Sequence, residues 1–172
     1  MILLEGVNLN LCSRRGNRVI ENSKVSIEKI GEGMRLDKQL YSTETPWEEI
    51  AGFSRAIRIG HNIYVAGTTA TDSNGIIGKD DPAKQMHFIL NRIEKAIIHL
   101  GGTLKDVVRT RIYVSDISDW EIVAKIHGDS FRQIRPVNTL IQATLVGDCL
   151  VEVEAEAIIQ QDTFNTNTLQ VK

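Results

Sequence analysis

Cysteine is nearly absent. Only Cys12 and Cys149 occur among 172 residues. Neither belongs to a short ligand-type spacing, which argues against a disulfide scaffold and a zinc module. Reduced thiols and a cytoplasmic setting are expected. Aromatic side chains make up 5% of the chain, so a base-stacking surface would rest on very few residues. Neither sign of charge dominates: 20 basic and 22 acidic side chains leave a net charge of -2, which does not suit a general polyanion binder. No apolar run approaches membrane-spanning length, and the opening Met1-Ile2-Leu3-Leu4-Glu5 lacks a basic leader. No membrane partner and no nucleic acid partner is therefore expected. What is present is a 42% apolar fraction, enough for one full domain and tight for two.

Residues 1–50 differ from the rest. Arg14, Arg15, Arg18, Glu21, Lys24 and Lys29 are scattered among short apolar patches. Val25 and Ile27 alternate as in a short strand, and Gly31 with Gly33 reads as a turn. Thr45-Pro46-Trp47-Glu48 has the form of a helix start, with Thr as cap, Pro in the first turn and Glu three residues after the cap. Only a short helix fits before Gly52. The segment reads as an N-terminal extension packing on a core domain at 51–160. Residues 161–172 read as a polar tail that frays.

Within the core domain, residues 54–59 and 62–66 flank Gly60-His61 as a hairpin, and Gly67 is expected to end the second strand. Met86, Ile89, Ile93, Ile97 and Leu100 form one apolar helical stripe, stopped by Gly101-Gly102. A strand over 107–114 puts Val108, Thr110, Ile112 and Val114 on one side, with Arg109, Arg111 and Tyr113 on the other. Ser118-Asp119-Trp120-Glu121 has capping-box spacing. It opens a second helix on which Trp120, Val123 and His127 share a face. Strands at 138–146 and 150–159 are expected as a final pair around Gly147-Asp148. Two helices cannot cover both faces of such a sheet, so they should cover one. Apolar groups on both sides of 139–145 point to burial of the other face against further subunits.

The chemistry gathers near the C-terminal end. Arg135 precedes one strand, and Glu152, Glu154 and Glu156 share one face of another. This is either a small-molecule site with an acid and a cation, or a solvated sheet face. Three adjacent carboxylates repel one another unless offset, and Arg135, Arg111 or Arg109 can supply the charge. Arg55 and Arg58 have odd separation and point to opposite faces; one is expected at an interface and the other in solvent. His127 is either a hydrogen-bonded, partly buried histidine or a cleft acid-base group. His61 sits exposed in a turn. Gly67-Thr68-Thr69-Ala70 marks a strand exit or offers its backbone and hydroxyls to a ligand. Cys149 reads as an inert thiol. The four histidines form no short metal motif, so no metal site is expected.

The chain resembles the Rid family of reactive-intermediate deaminases, also called the YjgF family, several of whose members carry endoribonuclease or translation-inhibitor labels. Four pieces carry the resemblance, in order: Phe53-Ser54-Arg55-Ala56-Ile57-Arg58-Ile59-Gly60, Ile63-Tyr64-Val65-Ala66-Gly67, Gly102-Thr103-Leu104-Lys105-Asp106-Val107-Val108, and Leu150-Val151-Glu152-Val153-Glu154-Ala155. It covers residues 52–160 or so. It implies an α+β, chorismate-mutase-like fold, with a mixed β-sheet and two main helices packed on one face. It also implies a homotrimer with ligand clefts between subunits, and hydrolysis of an imine or enamine to a ketone or keto acid and ammonia. Neither a metal nor a cofactor is implied.

In the family's deaminating members an Arg binds the substrate carboxylate and a Glu positions water. The Glu matches Glu152. A gap-free count puts the Arg at Val137, and anchoring on Pro136 puts it at Asn138. Neither side chain makes a charged fork. Arg135 is the displaced candidate, and the chain resembles a divergent branch lacking the hallmark arginine. A family Asn on the second helix corresponds to Ala124, and a family Tyr to Phe53. The resemblance thus implies Glu152 as catalytic. Arg135, Gly67, Thr68 and Phe53 are expected to bind substrate, with His127, Arg111 and Asn138 as further candidates. The expected ligand is a small carboxylate or imine metabolite. A non-catalytic metabolite-binding or regulatory trimer, and RNA cleavage, stand as alternatives.

Overall fold

A computed structural model describes residues 37–160. The expected strand around Val25, the turn at Gly31, Cys12 and the polar tail lie outside the described residues. In chain order the elements are β1 (Lys38–Tyr41), α1 (Pro46–Ala51), β2 (Ala56–Ile59), β3 (Asn62–Thr69), β4 (Thr71–Asp72), β5 (Gly75–Ile76), α2 (Pro82–His99), β6 (Val107–Val114), α3 (Trp120–Phe131), β7 (Val137–Gln142) and β8 (Val151–Ile158). Six strands form one sheet in the order β1-β2-β3-β8-β6-β7, and β4 with β5 forms a small ribbon. Only β6 and β7 run parallel; the other neighbours are antiparallel. The class is α+β, with helices on one face of a mixed sheet.

α2 forms where the apolar stripe lies. Asp81 caps it by accepting from the Lys84 backbone N–H at 2.9 Å, and Pro82 opens its first turn. Gly101 adopts φ +83, which suits glycine at a helix exit. Met86, Ile89, Ile93 and Ile97 are fully buried against the sheet, whose inward residues include Ile63, Ile112, Val151 and Val153. α3 covers the same core with Val123, Ile126 and Phe131.

Four expectations are corrected. β7 and β8 are not a pair: β6 lies between them, with Val137 beside Arg109 and Glu156 on Arg109's other side. Apolar side chains on both edges of a segment cannot reveal which strand intervenes. β7 also ends at Gln142, four residues short of Val146, and Ala143 N–H closes onto the Val114 carbonyl at 2.9 Å. β3 does not stop at Gly67 but continues to Thr69 through a register shift between Val65 and Thr68. Finally, Trp120 is half exposed at the first turn of α3 and is not part of its buried stripe. The start signal acts upstream, where Asp116 accepts from Ser118 N–H at 2.8 Å and a short 3-10 turn leads into the helix.

Candidate active site

Three steps along β3, from Val65 to Thr68, oppose two along β8, from Ala155 to Val153. The extra residue makes a β-bulge, a device that re-aims side chains. Gly67 sits in it. A methyl group there would collide with Glu152 Oε1 and approach Glu152 Cδ to 3.1 Å. The Glu152 carboxylate thus lies directly on the glycine backbone. Burial pushes its pKa up, Arg55 draws it down, and Glu154 adds to the upward push; the net shift is upward. No hydrogen bond from the described residues contributes to that balance.

Arg55 is the cation of this corner, and sequence reasoning missed it. Its Nη1 donates to the Gly67 carbonyl at 2.6 Å and to Thr68 Oγ1 at 3.3 Å. Its Nε is buried without a hydrogen-bond partner, 3.8 Å from Glu48 Oε1. The Phe53 ring lies 5.5 Å from the guanidinium carbon, within cation–π range. Glu48 is itself buried and accepts from the Ser42 hydroxyl, the Thr43 hydroxyl at 2.6 Å and the Thr43 N–H. Burial opposes its ionisation, but these hydrogen bonds and Arg55 prevail and lower its pKa. The side chain expected to complete a capping box is used here instead, and Thr45 makes no side-chain cap bond. The parity of Arg55 and Arg58 does send them apart, and Arg55 is buried while Arg58 is half-buried. Arg58 donates to the carbonyls of Gly60 and Leu100, both at 2.8 Å. No local sequence signal marks Arg55, because its partners are set by a bulge and by loop contacts.

Cys149 is buried beside the same corner. Burial raises its thiol pKa, a Thr69 hydrogen bond opposes this, and Glu152 and Asp148 raise it further. That agrees with an inert thiol.

The open sheet face continues from Glu152 as alternating charge. Arg111 contacts Glu154 at 2.6 Å and Glu156 at 3.5 Å, and Arg109 lies 3.7 Å from Glu156. The Tyr113 hydroxyl donates to Glu154 at 3.2 Å. The expected offset of the three carboxylates therefore comes from Arg109 and Arg111, and Arg55 acts at Glu152. A groove of about 420 Å³ runs over this face, lined by Phe53, Tyr64, Ala66, Arg109, Arg111 and Glu154 among others.

The other candidates fall elsewhere. Glu152 faces Tyr113, whose neighbour on β7 is Ile141. Arg135 precedes β7 at the opposite end, six residues away, or about 20 Å at strand spacing. The two do not meet within one chain. Arg135 is exposed and adopts φ +55. Val137 is 61% exposed. Asn138 is exposed, and its side-chain amide donates to Thr110 Oγ1 at 2.9 Å. Thr110 Oγ1 also lies 2.9 Å from His127 Nε2, and burial lowers the His127 pKa. His127 is thus half-buried and hydrogen-bonded to Thr110. Thr68 is fully buried, and its hydroxyl donates to the Ala66 carbonyl. Phe53 and Gly67 do reach the Glu152 corner. Among the described residues, no cluster of His, Cys, Asp or Glu is placed to hold a metal ion, and no helix is long and apolar enough to cross a membrane.

The profile of the family described as "Endoribonuclease L-PSP" matches residues 43–159. SCO2049 of Streptomyces coelicolor is 36% identical over 115 residues, spanning 66% of this chain and 86% of that protein. A RutC family protein of Pyrococcus abyssi is 30% identical, over 71% of this chain and 98% of its own length. The crystal structure of Rv2704 from Mycobacterium tuberculosis, a member of the YjgF/YER057c/UK114 family, superposes with a TM-score of 0.66 at 42% identity, covering 72% of this chain and 100% of Rv2704. With its open sheet face, one-sided helices and this breadth of matched sequence, the chain belongs to the Rid/YjgF family.

Proposed function

We propose that the protein is a cytoplasmic homotrimer that binds a small anionic metabolite in clefts between subunits and hydrolyses an imine or enamine there. The observation that carries this reading is the state of Glu152. Its carboxylate lies on the bare Gly67 backbone, raised in pKa, with no hydrogen bond from the described residues in its balance. A structural carboxylate in this fold looks different: Glu48 is fully engaged by Ser42 and Thr43. Glu152 is left to orient water. Water adds to the imine carbon, Glu152 takes its proton, and the proton passes to nitrogen. The carbinolamine then collapses: its hydroxyl gives up its proton, the leaving amine gains one through Glu152, and the C–N bond breaks to release ammonia and a ketone or keto acid. Arg135 lies too far from Glu152 in its own chain, so in this reading it anchors the anionic group from a neighbouring subunit.

A second reading, binding without turnover, is favoured by Val137. That residue is 61% exposed, and an apolar side chain offers no carboxylate fork. RNA cleavage has less support, given the net charge of -2 and the few aromatics.

Freshly generated 2-aminoacrylate tests the proposal. Wild-type trimer is expected to accelerate its hydrolysis over buffer, and Glu152→Gln to lose about 10²- to 10⁴-fold of that rate, the usual worth of a positioned acid-base group. Arg135→Ala is expected to raise KM. A folded trimer that binds small carboxylates without any acceleration establishes the second reading instead.

A further inference from the structure

Arg55 has no role in the function proposed above, yet its surroundings are built with care. It is 8% exposed, and a buried guanidinium needs both charge compensation and acceptors. Glu48 supplies the charge, and Gly67 and Thr68 supply acceptors. Because Glu48 sits at its Nε edge, Arg55 is not a free cation that clamps a carboxylate. The Gly67 carbonyl it holds belongs to the same residue on which the Glu152 carboxylate rests. We propose that Arg55, braced by Glu48, is a positioning residue for Glu152: it sets the Gly67 peptide in the β3 bulge and places a guanidinium beside the carboxylate. The inference rests on reading Glu152 as the working carboxylate, but its test does not need turnover.

The groups that act on Glu152 come from several elements. Arg55 approaches from the segment before β2, Glu154 from β8 itself, Cys149 from the β7–β8 loop and Tyr113 from β6. Arg92 on α2 adds a like charge to Arg55. Among these the guanidinium is the group that favours the ionised form.

Carbon-13 NMR of the carboxyl groups in the full chain, with the Glu152 signal assigned by its loss in Glu152→Gln, reads the effect directly. In Arg55→Gln the Glu152 titration midpoint is expected to move to higher pH, and the Gly67 amide signals to shift. Arg55→Lys should return the midpoint most of the way while leaving Gly67 displaced, since an ammonium keeps the charge but not the planar fork. Glu48→Gln should not raise the midpoint, because it removes a negative charge. Simple loosening of the corner would push both neutral variants the same way. An unmoved midpoint in Arg55→Gln, or an upward move in both Arg55→Gln and Glu48→Gln, overturns the proposal; where Arg55→Gln does not fold, Gly67 amide signals that stay in place in Arg55→Lys overturn it. Failure of wild type to hydrolyse imines would instead strike the proposed function and leave this titration result standing.

Discussion

At Gly67 one methyl group separates two kinds of cost. The atom a Cβ would strike is the tip of the Glu152 side chain, which can swing away, and not packed backbone. Gly67→Ala is therefore expected to change stability by about 1 kcal/mol or less. Imine hydrolysis should nevertheless fall toward the level of Glu152→Gln. Denaturant melts beside single-turnover rates check both halves. Glu48 and Glu152 make a second contrast. Glu152 has a raised folded pKa, so the folded state binds its proton more tightly than the unfolded chain. Its ionisation lowers stability as pH rises from the ordinary carboxylate range through that raised value. Glu48 has a lowered folded pKa, so its contribution is present above the ordinary range and is lost as pH falls through its lowered value. Glu152→Gln should stabilise the protein at neutral pH, with the gain vanishing in acid. Glu48→Gln should destabilise it at neutral pH. Urea midpoints for the two variants across pH measure the opposite signs.

The elements show where sequence was informative and where it was not. α2 was legible because a helical period of apolar residues, a Pro at its start and a Gly pair at its end all agree. The alternation was legible in β8, and in β6 from Arg109 onward: Glu152, Glu154 and Glu156 do share the open face, with Arg109, Arg111 and Tyr113 beside them, but Val108, expected inward with Thr110, is 40% exposed because the register shifts between Val107 and Arg109. The neighbour of β8 was not. Adjacent in sequence, β7 and β8 read as a hairpin, but the chain passes across the end of β6 and leaves β6 between them. Arg55 was hidden for another reason. Its acceptors are a main-chain carbonyl and a hydroxyl exposed to it by a one-residue bulge, and an insertion of that kind leaves no periodic trace. Phe53 and Gly67, carried by the family resemblance, do lie at the Glu152 corner.

At the scale of the whole molecule, the sheet face opposite the helices is left uncovered by the described residues. Tyr64, Val137 and Ile141 stand exposed on the sheet, and the paired charges of Arg111 with Glu154 lie among them. A trimer in which this face is buried should sediment as a single species. Ile141→Asp should shift it toward monomer, since a carboxylate buried without a partner is costly. Unchanged sedimentation at all concentrations would place the subunit contacts elsewhere.

The position of β8 also sets the order of events as the chain leaves the ribosome. β8 is the last of the described strands, yet it is inserted at the middle of the sheet, between β3 and β6. Until it emerges, the earlier strands stand as two separate pieces with exposed edges, and the inward residues of α2 lack one of the two strands they pack on, β3 being the other. The same strand carries Glu152. Core closure and assembly of the acidic corner are thus one event, so a chain arrested before Val151 yields neither a folded sheet nor a partly working site.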